Sequence, residues 1–129
     1  MSALIVRGRI EPLSEVPFHD EGPLTRWLMA SKALHPQFGM YVAVHEFRDV
    51  EPAARAYCTP HVHDHDELNI FHSATGLTVE LLLGEETVTV EAPATILIPA
   101  GTPHSANVRS GSGTMTAILF AGEYQARAV

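Results

Sequence analysis

After Gly39 the chain alternates apolar and polar residues with a period of two. MYVAVHEF (40–47), ELNIF (67–71), LTVELLL (77–83), TVTVE (87–91), TILIP (95–99) and TMTAILFA (114–121) are short runs rich in β-branched and aromatic residues. Glycine, proline and polar clusters bound them, which is the pattern of half-buried strands. SANVR (105–109) is a shorter strand, set apart from the last one by a GSG break. Gly84-Glu85-Glu86 reads as a three-residue hairpin loop between 77–83 and 87–91, EPAARAYCTP (51–60) as a loop held between prolines, and PAGTPH (99–104) as a turn. Strands of this length at this spacing, with no strong helix among them, predict an all-β sandwich or barrel.

Residues 1–39 are punctuated by Pro12, Pro17, Pro23 and Pro36, and LTRWLMASKAL (24–34) fits either a short helix or a strand. The chain therefore divides into an N-terminal extension, 1–39, expected to supply edge strands or a dimer contact, and a β domain, 40–129. Strand parity extends the reading. If Glu67 faces inward, so do Asn69 and Phe71, with Leu68 and Ile70 on the other side. On 40–47, Tyr41, Ala43, His45 and Phe47 share a face opposite Met40, Val42, Val44 and Glu46. The His45 face has the mixed lining of a small-ligand site, which makes His45, Asn69 and Phe71 candidate substrate-binding residues; a structural role for His45 is the competing reading.

With 129 residues the chain is one domain's worth of polypeptide, large enough to fold without a metal or disulfide staple. Its 8 Lys+Arg against 15 Asp+Glu give a net charge of −7, with a single lysine, Lys32. No basic stripe exists to displace counterions from a phosphate backbone, so nucleic acid is not an expected partner. No apolar run approaches the roughly 20 residues of a membrane span, and the apolar stretch before Arg7 is too short for a secretory leader. A cytoplasmic address is expected. The lone Cys58 excludes an intrachain disulfide and any CxxC site.

Histidine is the compositional anomaly. Of 8 histidines, His61, His63, His65 and His72 fall within one short stretch. In an extended chain His61 and His63 project from one face, and Glu67 can supply an oxygen after a turn through Asp64-His65-Asp66. A further ligand must come from elsewhere, and His104, offered by the bend of Pro99-x-Gly101-x-x-His104, is the candidate. Imidazole with carboxylate suits one divalent Fe, Mn, Ni, Cu or Zn ion rather than calcium. His63 with His65 is the rival register, and Asp64 and Asp66 read as a solvated turn.

These two segments resemble the motifs of the cupin superfamily. His61, His63 and Glu67 meet its HxHx(3,4)E pattern, and Pro99, Gly101 and His104 its PxGxxH pattern, with the 84–86 hairpin between them. The resemblance spans about residues 40–121 and implies a small jelly-roll barrel with His61, His63, Glu67 and His104 around one metal ion. The sequence also departs from the pattern. The glycine before the first histidine pair is missing, with Arg55-Ala56-Tyr57 there; Gly76 comes two residues late; Pro93 replaces a turn glycine; and Asn107 falls one short of the usual asparagine position, now Val108.

A site with three imidazoles and one carboxylate leaves positions for water, dioxygen or a bidentate substrate. The expected function is a metal-dependent enzyme, a dioxygenase or an isomerase/lyase, acting on a small polar oxygen-bearing metabolite. A non-catalytic metal-bearing ligand-binding or sensing domain is the alternative. The acidic balance disfavours an anionic substrate unless Arg26, Arg48 or Arg55 lines the mouth. An open jelly roll leaves an edge, so a homodimer is expected.

Overall fold

A computed structural model describes residues 3–129; residues 1 and 2 of the N-terminal extension lie outside the described residues. The strands are β1 (Arg9–Ile10), β2 (Leu24–Ala30), β3 (Tyr41–Val50), β4 (His61–Val62), β5 (Glu67–His72), β6 (Leu77–Leu83), β7 (Glu86–Glu91), β8 (Ala94–Ile98), β9 (His104–Leu119) and β10 (Arg127–Ala128). A single 3₁₀ turn at Leu13–Glu15 is the one helical element among the described residues. Every strand pairing is antiparallel.

The longest strand, β9, organises the barrel. Its first half lies between β4 and β6, and its second half between β3 and β5. One face of the barrel therefore runs β1-β2-β3-β9-β5-β8, and the other β10-β4-β9-β6-β7. The sequence suggests two strands here, 105–109 and 114–121, separated by GSG; the structure corrects this to one. Gly111 (φ +100°) pairs with both Val50 and Leu77, and Gly113 pairs with Phe47, so the glycines bend a continuous strand across the barrel corner without ending it. A Cβ at Gly111 would lie 2.1 Å from the Gly76 carbonyl oxygen, so only glycine fits that crossing.

The 84–86 hairpin is also tighter than its sequence suggests. Leu83 pairs with Glu86, which leaves a two-residue turn with positive φ at Gly84 (+66°), as a type II′ turn requires. The ambiguous 24–34 segment resolves into β2, which pairs with β3 from Leu24↔Phe47 to Ala30↔Val42. Tertiary pairing decides what its own periodicity leaves open.

Strand parity appears directly in burial: Tyr41, Ala43, His45 and Phe47 are buried, as are Glu67, Asn69 and Phe71. The core proper gathers Phe47, Phe71, Leu77, Val79, Leu81 and Val108, closed at one end by Leu13 and Val16 from the N-terminal segment. Each such fully buried side chain contributes about 1.5–3 kcal/mol. Three inward rows cross the wall beside this core: Tyr41–Leu119–Glu67, Ala43–Ala117–Asn69 and His45–Met115–Phe71. They grade from core at the Phe71 end to an open pocket at the Glu67 end. No helix among the described residues is long and apolar enough to cross a membrane.

Candidate metal centre

His61 and His104 reach each other as direct cross-strand partners between β4 and β9. The path into β4 is set by Asn107 of β9, whose Oδ1 accepts the backbone N–H groups of Tyr57 (2.8 Å) and Cys58 (3.0 Å). The 99–103 turn is docked on the same segment from the other side. Gly101, at φ +82°, donates its N–H to the His63 carbonyl (2.9 Å), and Ala100 N–H donates to Asp66 Oδ1 (2.8 Å). The proline–glycine bend thus locks onto the first histidine pair and delivers His104 to it.

The three imidazoles form a closed triangle, with centroid separations of 4.5 Å (His61–His104), 4.8 Å (His61–His63) and 5.0 Å (His63–His104). Each Nδ1–H donates to a backbone carbonyl: His61 to Thr59 (2.7 Å), His104 to Thr102 (2.9 Å) and His63 to Gln125. An imidazole that gives up its Nδ1 proton in this way presents the Nε2 lone pair, the form a metal needs. Glu67 closes the group, with Oε1 3.6 Å from His63 Nε2 and Oε2 3.6 Å from His104 Nε2. Those separations exceed a hydrogen bond, and both Glu67 Oε2 and His104 Nε2 are buried without any partner. Two orphaned lone-pair atoms, a carboxylate oxygen and an imidazole nitrogen 3.6 Å apart, are what an ion would satisfy. The three histidines could hold a metal, since one ligand atom of each lies within 4.8 Å of the others.

The electrostatics follow from burial and proximity. Burial lowers the His61 pKa to about 4, only partly offset by its bond to the Thr59 carbonyl, and His104 and His63 lower it further. Burial would raise Glu67, but the favourable interaction of its carboxylate with the adjacent His104 and His63 imidazoles outweighs it and holds the carboxyl well below its usual range. Burial also depresses His104, and there Glu67 overcomes it, leaving the group raised.

Among the residues singled out from sequence, His61, His63, Glu67 and His104 converge, while His65 and the carboxylates of the 64–66 turn stay exposed. His45 and Asn69 line the same pocket. Phe71 does not: it packs into the core one row deeper and is absent from the pocket lining. The sequence offered Arg26 only as one of three arginines for the mouth, yet it is 5% exposed within the pocket wall. Its inward phase was readable from Leu24, Leu28 and Ala30, which share its parity. His19 and Tyr124, both lining residues, went unnoticed because neither lies in a strand pattern or motif; Tyr124 stands edge-on to His63 at 5.3 Å. His19 also groups with Cys58 and His61, but His61 has already committed its Nδ1–H to Thr59 and its Nε2 to the triangle, and burial pushes the Cys58 thiol up to about 12.

No sequence-family profile and no curated protein matches the chain. Solved structures do. A cupin 2 conserved barrel domain protein from Rhodopseudomonas palustris aligns over 95% of this chain and 77% of its own, at 21% identity and a TM-score of 0.60. The fold is a cupin barrel. The polyketide cyclase RemF from Streptomyces resistomycificus aligns over 100% of this chain and 85% of its own, at 16% identity and a TM-score of 0.64. KdgF from Halomonas sp. aligns over 80% and 82%, at 17% identity and a TM-score of 0.57. In this cupin barrel the histidine triangle sits where β4 and β9 pair, at the open end of the three inward rows.

Proposed function

We propose that this cupin barrel is a metal-dependent enzyme acting on a small polar, oxygen-bearing metabolite, with His61, His63, His104 and Glu67 holding one divalent Fe, Mn, Ni or Zn ion. The observation that carries the reading is the aim of the three imidazoles: each Nδ1–H is held by a backbone carbonyl, and the Nε2 atoms of His63 and His104 lie 3.6 Å from the Glu67 carboxylate. When bound, the ion supplies Lewis acidity toward a carbonyl or enolate, or oxygen activation if it is redox-active. The chain's own contribution is position and dryness. The ligands are nearly fully buried, and Tyr124 and His19 line the same pocket. The pocket's other ionisable groups are unsuited to proton transfer near neutrality, since burial raises Tyr41 and Cys58 to about 12 and raises Tyr57 and Tyr124 as well. The imidazoles outside the ligand set are the exceptions: burial lowers both His19 and His45, so both stay neutral, and His19, whose Nδ1–H goes to the Pro17 carbonyl, is the candidate base. Likeness to a polyketide cyclase supports catalysis on a small organic molecule by isomerase or lyase chemistry; dioxygenation is the other arm. A non-catalytic ligand-binding domain is the second reading, favoured by the same scarcity of acid–base groups.

Elemental analysis of untagged protein, with EPR under air and nitrogen, tests the centre. One transition metal per chain is expected; zinc or nickel alone counts against oxygenase chemistry. Replacing His61 and His63 by alanine should abolish binding, and full retention overturns the assignment. A homodimer is proposed at the β1 edge, supported by exposed Leu4, Ile5 and Ile10 beside that short strand, and sedimentation of the Ile5→Glu variant tests it.

A further inference from the structure

Beyond the histidine triangle the pocket ends on a wall with unfinished hydrogen bonding. His45 on β3 and Asn69 on β5 flank β9, opposite Met115 and Ala117 respectively, and both face inward. Ala43 and Ala117 share the row of Asn69, next to the row of His45, and their small side chains leave the space that larger residues would fill. Both polar side chains are almost completely buried, at 3% and 2% exposure. Yet His45 Nδ1 and Asn69 Nδ2 have no partner among the described residues. Buried donors without acceptors are rare in folded proteins and mark a group that the chain alone does not supply.

The protonation of His45 is fixed by its neighbour. Arg26, directly across from it on β2, brings Nη1 within 2.6 Å of His45 Nε2. A guanidinium has only donors, so Nε2 must accept and the ring proton must sit on Nδ1. Arg26 is itself held by Glu11 Oε1 (3.0 Å, from Nε) and by the Tyr41 hydroxyl, which in turn donates to Glu11 (3.2 Å). Burial and the Arg26 charge both disfavour a second proton on His45. His45 therefore presents a neutral N–H donor to the pocket, beside the amide of Asn69.

We propose that His45 and Asn69 anchor the carboxylate of a small monoanionic ligand, with Arg26 as the positioning residue that fixes the donor face of His45. Charge and size both support it. Arg26 and Glu11 cancel, and neutral histidines with Glu67 around a divalent ion leave one positive charge, which a monoanion neutralises; this step rests on the metal-dependent reading above. The one pocket that the metal centre and this wall share has about 40 Å³ of free volume, so only a small ligand suits it. The orientation places the ligand's other oxygen-bearing carbon toward Glu67 and the histidines.

The test uses the full chain loaded with zinc, with pyruvate as probe and pyruvamide as its uncharged counterpart. Pyruvate should bind about tenfold or more tightly than pyruvamide, and Asn69→Leu should weaken pyruvate about tenfold while zinc content stays unchanged. In ¹⁵N-histidine spectra of the wild type, His45 should show a protonated Nδ1 and a bare Nε2, and pyruvate should move the Nδ1–H signal. Equal binding of the two probes, no binding of pyruvate, an unmoved His45 signal or an Asn69→Leu variant with wild-type affinity overturns the anchor. Zinc stoichiometry, measured on each sample, separates the outcomes: a wild type that takes up no zinc defeats the metal centre, while the His45 tautomer and its response to pyruvate judge the anchor.

Discussion

Asn107→Ala is expected to be among the most damaging single substitutions outside the apolar core. The residue is 5% exposed, accepts the N–H groups of Tyr57 and Cys58, and donates Nδ2 to the Cys58 carbonyl (3.2 Å). Truncation leaves two backbone donors and one acceptor buried without partners, each costing about 1–3 kcal/mol. Partial entry of water into the vacated volume offsets some of this, so a net loss of about 3–5 kcal/mol is expected. For a domain of this length that corresponds to a drop in Tm of roughly 10–20 °C, read by circular dichroism and by the shift of the denaturant midpoint. The damage should also reach the metal centre, because residues 57–60 lead straight into His61; zinc affinity should fall about tenfold. Asn107→Asp keeps the oxygen acceptors and loses only the donor, so its effect should be smaller at pH 5 than at pH 8, where the carboxylate is fully charged. A Tm for Asn107→Ala within about 2 °C of wild type, the range of an ordinary surface change, would refute the reasoning.

Acid should destabilise the metal-free protein. In the unfolded chain His61 titrates near its ordinary 6.5, but in the fold only near about 4, so unfolding takes up a proton between those values. The stability that this group contributes is full above about pH 6.5 and is lost as pH falls toward 4, to an extent of up to about 3 kcal/mol. His45 and His19, also lowered, act in the same direction, and His104, raised, acts against it. Urea midpoints of metal-free protein at pH 7, 5.5 and 4 check the sign, and a midpoint that rises on acidification contradicts it. Gly111→Ala should cost about 2–5 kcal/mol, because its Cβ would meet the Gly76 carbonyl at 2.1 Å from a backbone at φ +100°. Gly39→Ala, with nothing within 4 Å, is the matched control and should melt as wild type.

The parts of this molecule legible in the sequence are those governed by local periodicity and short spacing. Alternation alone told which residues of β3 and β5 share a face, burial then told which face turns inward, and the His61–His63–Glu67 set followed from parity plus one turn. The parts that were hidden depend on long-range pairing. Nothing local tells that Ser110–Thr114 continues one strand, because glycines there read as a break until Leu77, Val50 and Phe47 are found hydrogen-bonded across them. Leu24–Ala30 became a strand because β3 offered it an edge. Phe71 shares parity with Glu67 and Asn69, but parity gives only the face, and depth along the barrel decides between pocket and core. Arg26 was hard to place for a related reason: a charged residue is expected outside, and only the combined demands of Glu11, Tyr41 and His45 explain its burial.

The bonds from the imidazoles to Thr59, Thr102 and Gln125 end on main-chain oxygens, which every amino acid carries. Ring orientation is consequently a property of the chain's route. The side chains of Thr59 and Thr102 are free to be exchanged without re-aiming a single nitrogen, provided the loops keep their course. Such a centre tolerates wide drift in its surroundings, and it leaves the opposite wall free to be rebuilt around a different guest.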